Sequence, residues 1–222
     1  MRILLTLSML LVWTQAIPAS AQEIGLFGGH AWSDRPRSGD PAFFGIRFQY
    51  RPVSRLGARV EYTGYSSSPR WVATTCDAYW PFYENCRDET VENGMRLRSY
   101  DFSIVAVPLL LHGWRVDLAV GISQNALEQE VRGVETGRIL YTTEGYGGEP
   151  FEDILSFLGR GGNGSVQAVT LSRVGIRELP IVLGVSYRRR SVDTPSCGTD
   201  SYCLYTGDLH LSELALHGSW SF

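Results

Sequence analysis

The chain of 222 residues contains no lysine, so all 20 of its basic side chains are arginine, set against 23 carboxylates. We read this as a composition bias rather than a mechanism. The formal net charge of −3 leaves no basic excess of the kind that draws nucleic acid, and no nucleic-acid partner is expected. Long apolar runs are missing too. Beyond the first dozen residues no stretch approaches the roughly 20 apolar residues that a membrane-crossing helix requires. Also absent are a Gly-rich phosphate loop, a zinc-ligand spacing and a nucleophile elbow. Enzymes built on those devices are excluded, and no metal or cofactor is expected.

At the N-terminus, Met1-Arg2 forms a short basic segment, residues 3–12 an apolar run, and Ala19-Ser20-Ala21 a small-residue cleavage site. This is the pattern of a secretory leader spanning residues 1–21, which leaves residues 22–222 as one folding domain. The chain is rich in glycine and aromatics, with 24 Gly, 11 Tyr and 6 Trp. Mean hydropathy is near zero, as alternating strands would give, because averaging hides a greasy face. The four cysteines are Cys76, Cys86, Cys197 and Cys203. An even count in an exported chain points to disulfides, and no histidine lies near either pair to suggest metal ligation instead. Of the three pairings, Cys76–Cys86 with Cys197–Cys203 needs the least rearrangement of the chain.

Eight segments alternate with the period of two that marks strands. Seven lie at about residues 23–32, 42–51, 56–65, 97–109, 114–122, 166–177 and 181–188, and the eighth ends at Phe222. In the second, Phe44, Ile46, Phe48 and Tyr50 oppose Gly45, Arg47, Gln49 and Arg51. In the fifth, Trp114, Val116, Leu118 and Val120 oppose Arg115, Asp117, Ala119 and Gly121. Connections of medium or long length alternate with tight turns, so short turns gather on one rim and long loops on the other. Both cysteine pairs fall on the long-loop rim. A short helix is predicted within the third long loop, from Pro150 to Gly159.

The final strand reads Leu214-Ala-Leu216-His-Gly218-Ser-Trp220-Ser-Phe222 and ends on an aromatic residue. Leu214, Leu216, Trp220 and Phe222 share one face. This ending resembles the C-terminal signature of bacterial outer-membrane β-barrels, in which the terminal aromatic and the alternating positions before it are the signal read by the insertion machinery. Tyr100-Asp-Phe-Ser-Ile104 followed by Val107-Pro-Leu-Leu-Leu111 is similar to the fourth strand and turn of the small eight-stranded porin-like family, the OmpA-, OmpX- and OmpW-like barrels. The resemblance implies an all-β fold: a closed, antiparallel, eight-stranded transmembrane barrel with long extracellular loops. It also implies outer-membrane lipid and lipopolysaccharide as surroundings. The alternative is a soluble lipocalin-like barrel. That fold would bury an apolar interior, whereas here the apolar faces oppose a face carrying arginines.

The polar face, taken as the barrel interior, holds Arg47, Arg51, Arg59, Arg115, Arg173, Arg177 and Arg188. Glu61, Asp101, Asp117, Glu213 and His217 accompany them. Side chains fill a barrel of this size, and buried charge must be paired. An ion-paired plug is one reading and a narrow anion-selective conduit the other, since arginines outnumber acids. Among the loops, Trp71, Tyr79, Trp80, Phe82 and Tyr83 form a candidate contact surface for an extracellular ligand, or else pack on one another. One enzyme-like pattern remains. His210-Leu-Ser212 resembles the His-x-Ser of outer-membrane lipid A deacylases, in which Ser212 would be nucleophile and His210 base. The Asn that usually follows is replaced by Glu213. We therefore expect a non-enzymatic surface barrel of the bacterial outer membrane that contributes to envelope integrity, adhesion or limited small-solute passage.

Overall fold

The computed structural model describes residues 21–35, 38–76, 86–146, 163–176, 179–193 and 208–222. The predicted leader, apart from Ala21, lies outside them, as do the predicted helix near Pro150, Arg177, Cys197 and Cys203. Ten strands are present: β1 (Ala21–Ser33), β2 (Ala42–Val53), β3 (Leu56–Ser67), β4 (Arg70–Cys76), β5 (Cys86–Leu111), β6 (Trp114–Gly133), β7 (Ile139–Tyr146), β8 (Asn163–Ile176), β9 (Leu179–Val192) and β10 (Leu209–Ser221). Eight of them close a ring, β1-β2-β3-β5-β6-β8-β9-β10, and every pairing is antiparallel. Closure is completed at the chain end: the Gln22 amide donates to the Phe222 carbonyl at 3.0 Å, and the Phe222 amide donates back at 2.9 Å.

The two remaining strands extend the wall. β4 pairs with the first part of β5, and β7 with the last part of β6. The sequence reading placed the strand start near residue 97 and treated the stretch before it as loop. The ladder instead begins at Cys86, whose Cα partner across the strands is Cys76. Beyond the barrel, β5 and β6 therefore continue as the centre of a four-stranded sheet.

The tight turn between β5 and β6 has a local cause. At His112–Gly113 both residues take positive φ, 50° and 78°, as a two-residue type I′ hairpin requires. Histidine is among the few side chains that tolerate this region, and glycine enters it freely. Just before the turn, the β5–β6 register shifts between Ala106 and Leu109, around Pro108, which has no amide to give to the ladder.

Side chains alternate strictly across the wall. Outside lies a continuous apolar belt including Leu26, Phe44, Ile46, Ile104, Val120, Val169, Leu183 and Leu216, with Ile104 and Leu216 exposed to 68% and 69%. Trp114, Trp220 and Phe222 mark its edge at the short-turn rim, and Trp32, Tyr62 and Tyr187 its edge toward the long loops. An outward apolar band between aromatic girdles is the arrangement of a barrel surrounded by lipid. Leu214, Leu216, Trp220 and Phe222 all belong to this outer face.

Inward-facing glycines let the wall pack closely. The Phe27 ring crosses the lumen face of Gly45, where an added Cβ would come within 2.3 Å of the ring and 2.4 Å of the Tyr62 carbonyl. Gly45→Ala is expected to lower stability by about 1–3 kcal/mol, the usual cost of overpacking. Urea unfolding of the detergent-folded protein measures it.

Candidate functional site

The lumen is layered. Toward the long-loop rim apolar side chains cluster, Ala31, Phe43, Met95, Leu97, Leu127, Val192, Leu209 and Leu211, with Asn93, Ser99, Asn125 and Gln129 buried beside them on β5 and β6. Below this layer, toward the short turns, the interior is ionic. Among the described residues, Arg47, Arg51, Arg59, Arg115, Arg188 and Arg190 are buried there with Glu23, Glu61, Asp101, Asp117 and Glu213.

These groups form two chains of alternating charge. The first runs Arg51–Glu23–Arg115–Asp117–Arg59. Glu23 accepts from Arg51 and, at 2.5 and 2.9 Å, from both terminal nitrogens of Arg115. Arg115 Nε lies 2.9 Å from Asp117 Oδ1, off the hydrogen-bonding direction, and Arg59 Nη2 reaches Asp117 Oδ2 at 3.4 Å. The second chain runs Arg47–Glu61–Arg188–Glu213–Arg190–Asp101. Arg47 Nε donates to Glu61 at 2.5 Å and Arg188 Nη1 to the other Glu61 oxygen at 3.2 Å. Glu213 accepts from Arg188 Nε at 2.6 Å and from Arg190 Nε at 3.0 Å. Both terminal nitrogens of Arg190 clamp Asp101 at 2.5 Å.

Tyr65 joins the ionic and apolar layers. Its hydroxyl donates to Glu213 at 2.7 Å and accepts from Arg190 at 2.9 Å and Arg188 at 3.2 Å. The Arg188 guanidinium also lies 4.6 Å from the Phe27 ring centroid and 5.4 Å from that of Phe43, within cation–π range. Planar guanidinium groups thus use both their edges, on carboxylates, and their faces, on rings. An ammonium group lacks the planar fork that lets one guanidinium bind a carboxylate bidentately and stack on a ring.

Of the residues predicted for the interior, Arg47, Arg51, Arg59, Glu61, Asp101, Arg115, Asp117, Arg188, Glu213 and His217 are buried on the lumen side. Arg173 is a correction. The inward residues of β8 are Val166, Ala168, Thr170 and Ser172, so Arg173 points outward. There it donates to the His112 carbonyl at 2.9 Å and stacks on Trp114, 5.4 Å from the ring centroid. Two central members escaped the sequence reading. Arg190 lies beyond the assigned end of its strand, although it shares the phase of Arg188. Glu23 stands beside the predicted cleavage site, yet it alternates in phase with Phe27.

Trp71 is half-buried on β4, while Tyr79, Trp80, Phe82 and Tyr83 lie outside the described residues. The His-x-Ser pattern faces outward. The Ser212 hydroxyl accepts from Tyr187 at 3.4 Å, and the His210 amide donates to Asp34 at 3.1 Å. Glu213, the adjacent acid, points the opposite way and is committed to Arg188 and Arg190. The three are therefore not assembled as a catalytic set.

Removing one member of a buried ion pair leaves its partner charged and desolvated, at a cost of about 3–5 kcal/mol. Glu213→Leu, which strips two arginines at once, is expected to destabilise the barrel by at least that range. Arg173→Ala should stay within about 0.5 kcal/mol, as surface changes do. Paired urea titrations of the two variants in the same micelles test the assignment of faces.

No protein-family model matches the chain, and no curated protein matches its sequence. Solved structures do match. Neisserial surface protein A superposes with a TM-score of 0.51 at 13% identity, over 91% of this chain and 97% of that one. Ail, the attachment invasion locus protein of Yersinia pestis, gives 0.48 at 9% identity, over 93% and 100%. OprG from Pseudomonas aeruginosa gives 0.44 at 9% identity, over 92% and 96%. With its closed antiparallel ring of eight strands, its outward apolar belt and this superposition, the chain has the fold of the small eight-stranded outer-membrane β-barrels.

Proposed function

We propose that the chain is a non-enzymatic barrel of the bacterial outer membrane, exported by its leader, closed to solutes, and active through its surface. The observation that carries this reading is the lumen. Two ion-pair chains cross it, and an apolar layer lies over them on the long-loop side. Passage of a hydrated ion would require breaking buried pairs and then wetting a layer of Leu, Met and Phe. In this reading the barrel serves as an anchor that contributes to envelope integrity or adhesion. Outer-membrane lipid and lipopolysaccharide surround its belt, and the insertion machinery reads the strand ending at Phe222. The contact surface for an extracellular ligand is Trp71, on β4, together with Tyr79, Trp80, Phe82 and Tyr83, which follow it in the chain.

Conductance tests the closed lumen. The reconstituted protein should give no steady unitary current in planar bilayers. A sustained anion-selective current, lost in Arg47→Ala and Arg115→Ala, would instead make the lumen a conduit.

The loops are pinned, on this reading, by Cys76–Cys86 and Cys197–Cys203. For the first pair the support is register. Cys76 and Cys86 are direct cross-strand partners, and such positions stand about 4.5–5.5 Å apart at Cα, inside the span that a disulfide bridges. Non-reducing peptide mapping should recover these two links, and reduction should speed proteolysis between Trp71 and Arg96 without releasing the barrel. A peptide joining Cys76 to Cys197 or Cys203 would refute local pairing.

A further inference from the structure

The two charge chains in the lumen do not carry equal charge. The chain from Arg47 to Asp101 alternates three arginines with three carboxylates and is neutral. The chain from Arg51 to Arg59 alternates three arginines with two carboxylates and carries one net positive charge. The chains also meet end to end at arginine. Arg47 is the first member of one and Arg59 the last member of the other. On the register of β2 and β3, Arg47 opposes Glu61 and Gln49 opposes Arg59, so the two arginines are diagonal neighbours on the lumen face. Glu61 opposes Arg47 and lies two residues from Arg59 on the same face, so it acts on both, yet the layer still sets six buried arginines against five buried carboxylates among the described residues.

Arg51 Nε and Arg115 Nε are buried without an acceptor among the described residues, and three more such donors belong to side chains that neighbour one another on this part of the β2–β3 face. Arg47 Nη2, Arg59 Nη1 and Gln49 Nε2 are buried, and none donates to an acceptor among the described residues. Gln49 is oriented by the same neighbour: its Oε1 accepts from Arg59 Nε at 2.9 Å, which leaves its amide nitrogen as a third donor. His217, also buried, is within electrostatic reach of both arginines and has an uncommitted Nδ1. Buried donors without acceptors are costly, and a buried charge without a counter-charge is costlier. Water would supply acceptors but no charge.

We propose that the lumen holds a single small monovalent anion, of the halide class, between Arg47 and Arg59 with the Gln49 amide as third donor. One negative charge makes the first chain neutral, and one small acceptor serves three N–H groups. A divalent oxyanion would overshoot the charge. The ion is an internal constituent that joins the two chains into one alternating series, not a permeant species.

The test uses bromide as probe on the full chain folded in detergent. Crystals grown in sodium bromide should show an anomalous peak within hydrogen-bond reach of Arg47 Nη2 and Arg59 Nη1, and Arg59→Gln should lose it. In urea titrations, each tenfold rise in bromide above its dissociation constant should lower the unfolding equilibrium constant about tenfold, by mass action. Sodium gluconate at matched ionic strength should not do so. Gln49→Leu keeps both arginines and should weaken the bromide dependence, which provides a reading even if Arg59→Gln fails to fold. A seam occupied by water alone, equal stabilisation by bromide and gluconate, or an unchanged peak in the variants would overturn the proposal. A conducting lumen would refute the closed-barrel reading and leave this site standing, whereas a seam without bromide would do the reverse.

Discussion

Hydrocarbon offers no partner to a backbone amide or carbonyl, and from this constraint the rest of the structure follows. A sheet in lipid must have no edge within the membrane, so β1 has to find β10, and the last residue, Phe222, exchanges both its backbone hydrogen bonds with Gln22. Once the ring is closed, each strand has one face in lipid and one in the lumen, and a residue's parity decides which. The arginines and carboxylates of the two charge chains are all directed inward. The ionic interior is thus the place left for charge after the outer face has been made apolar.

Inside, space and charge are solved together. Eight strands leave a lumen that side chains can fill, and arginine fills it while offering several directed donors per residue. Arg190 clamps Asp101 with two nitrogens and touches Glu213 and Tyr65 with the third. The aromatic rings of Phe27, Phe43 and Tyr65 receive the flat faces of Arg188 and Arg190. The transition from ionic to apolar layer therefore passes through groups that satisfy both. A chain without lysine suits this interior, because a point-charge ammonium matches neither bidentate carboxylates nor rings as well.

The barrel was legible in the sequence because lipid enforces alternation, and alternation survives in Phe44 to Arg51 or Trp114 to Gly121 without any knowledge of neighbours. The same logic failed where only part of it applied. Residues 86–96 of β5 stand beyond the apolar belt, so their outer face is polar and the period of two has no greasy signal. Sequence alone therefore predicts loop there. Arg173 is expected in the lumen, but the inward residues of β8 are the even-numbered ones, and a position over Trp114 gives Arg173 a place at the rim. Arg190 was lost to an end set two residues too early. The pairing inside the lumen was not legible at all. Contacts such as Arg188 with Glu61, 127 residues apart, depend on barrel shear and not on any local pattern.

The length of β5 has a mechanical consequence. At about 3.3 Å per residue its 26 residues extend on the order of 85 Å, while a tilted strand needs only about 9–11 residues to cross the hydrocarbon. Residues 86–94 of the strand lie beyond its pairing with β3 and stand clear of the barrel as a cantilever, flanked by β4, β6 and β7. Its ladder with β6 runs from the wall into the free sheet without interruption between Val91 and Ala106, so there is no hinge at its root. Whatever the tip touches is held at a fixed distance and angle from the barrel. A small lean of the barrel axis sweeps that tip through an arc proportional to the arm's length, so the bilayer that sets the tilt also sets where the protein reaches.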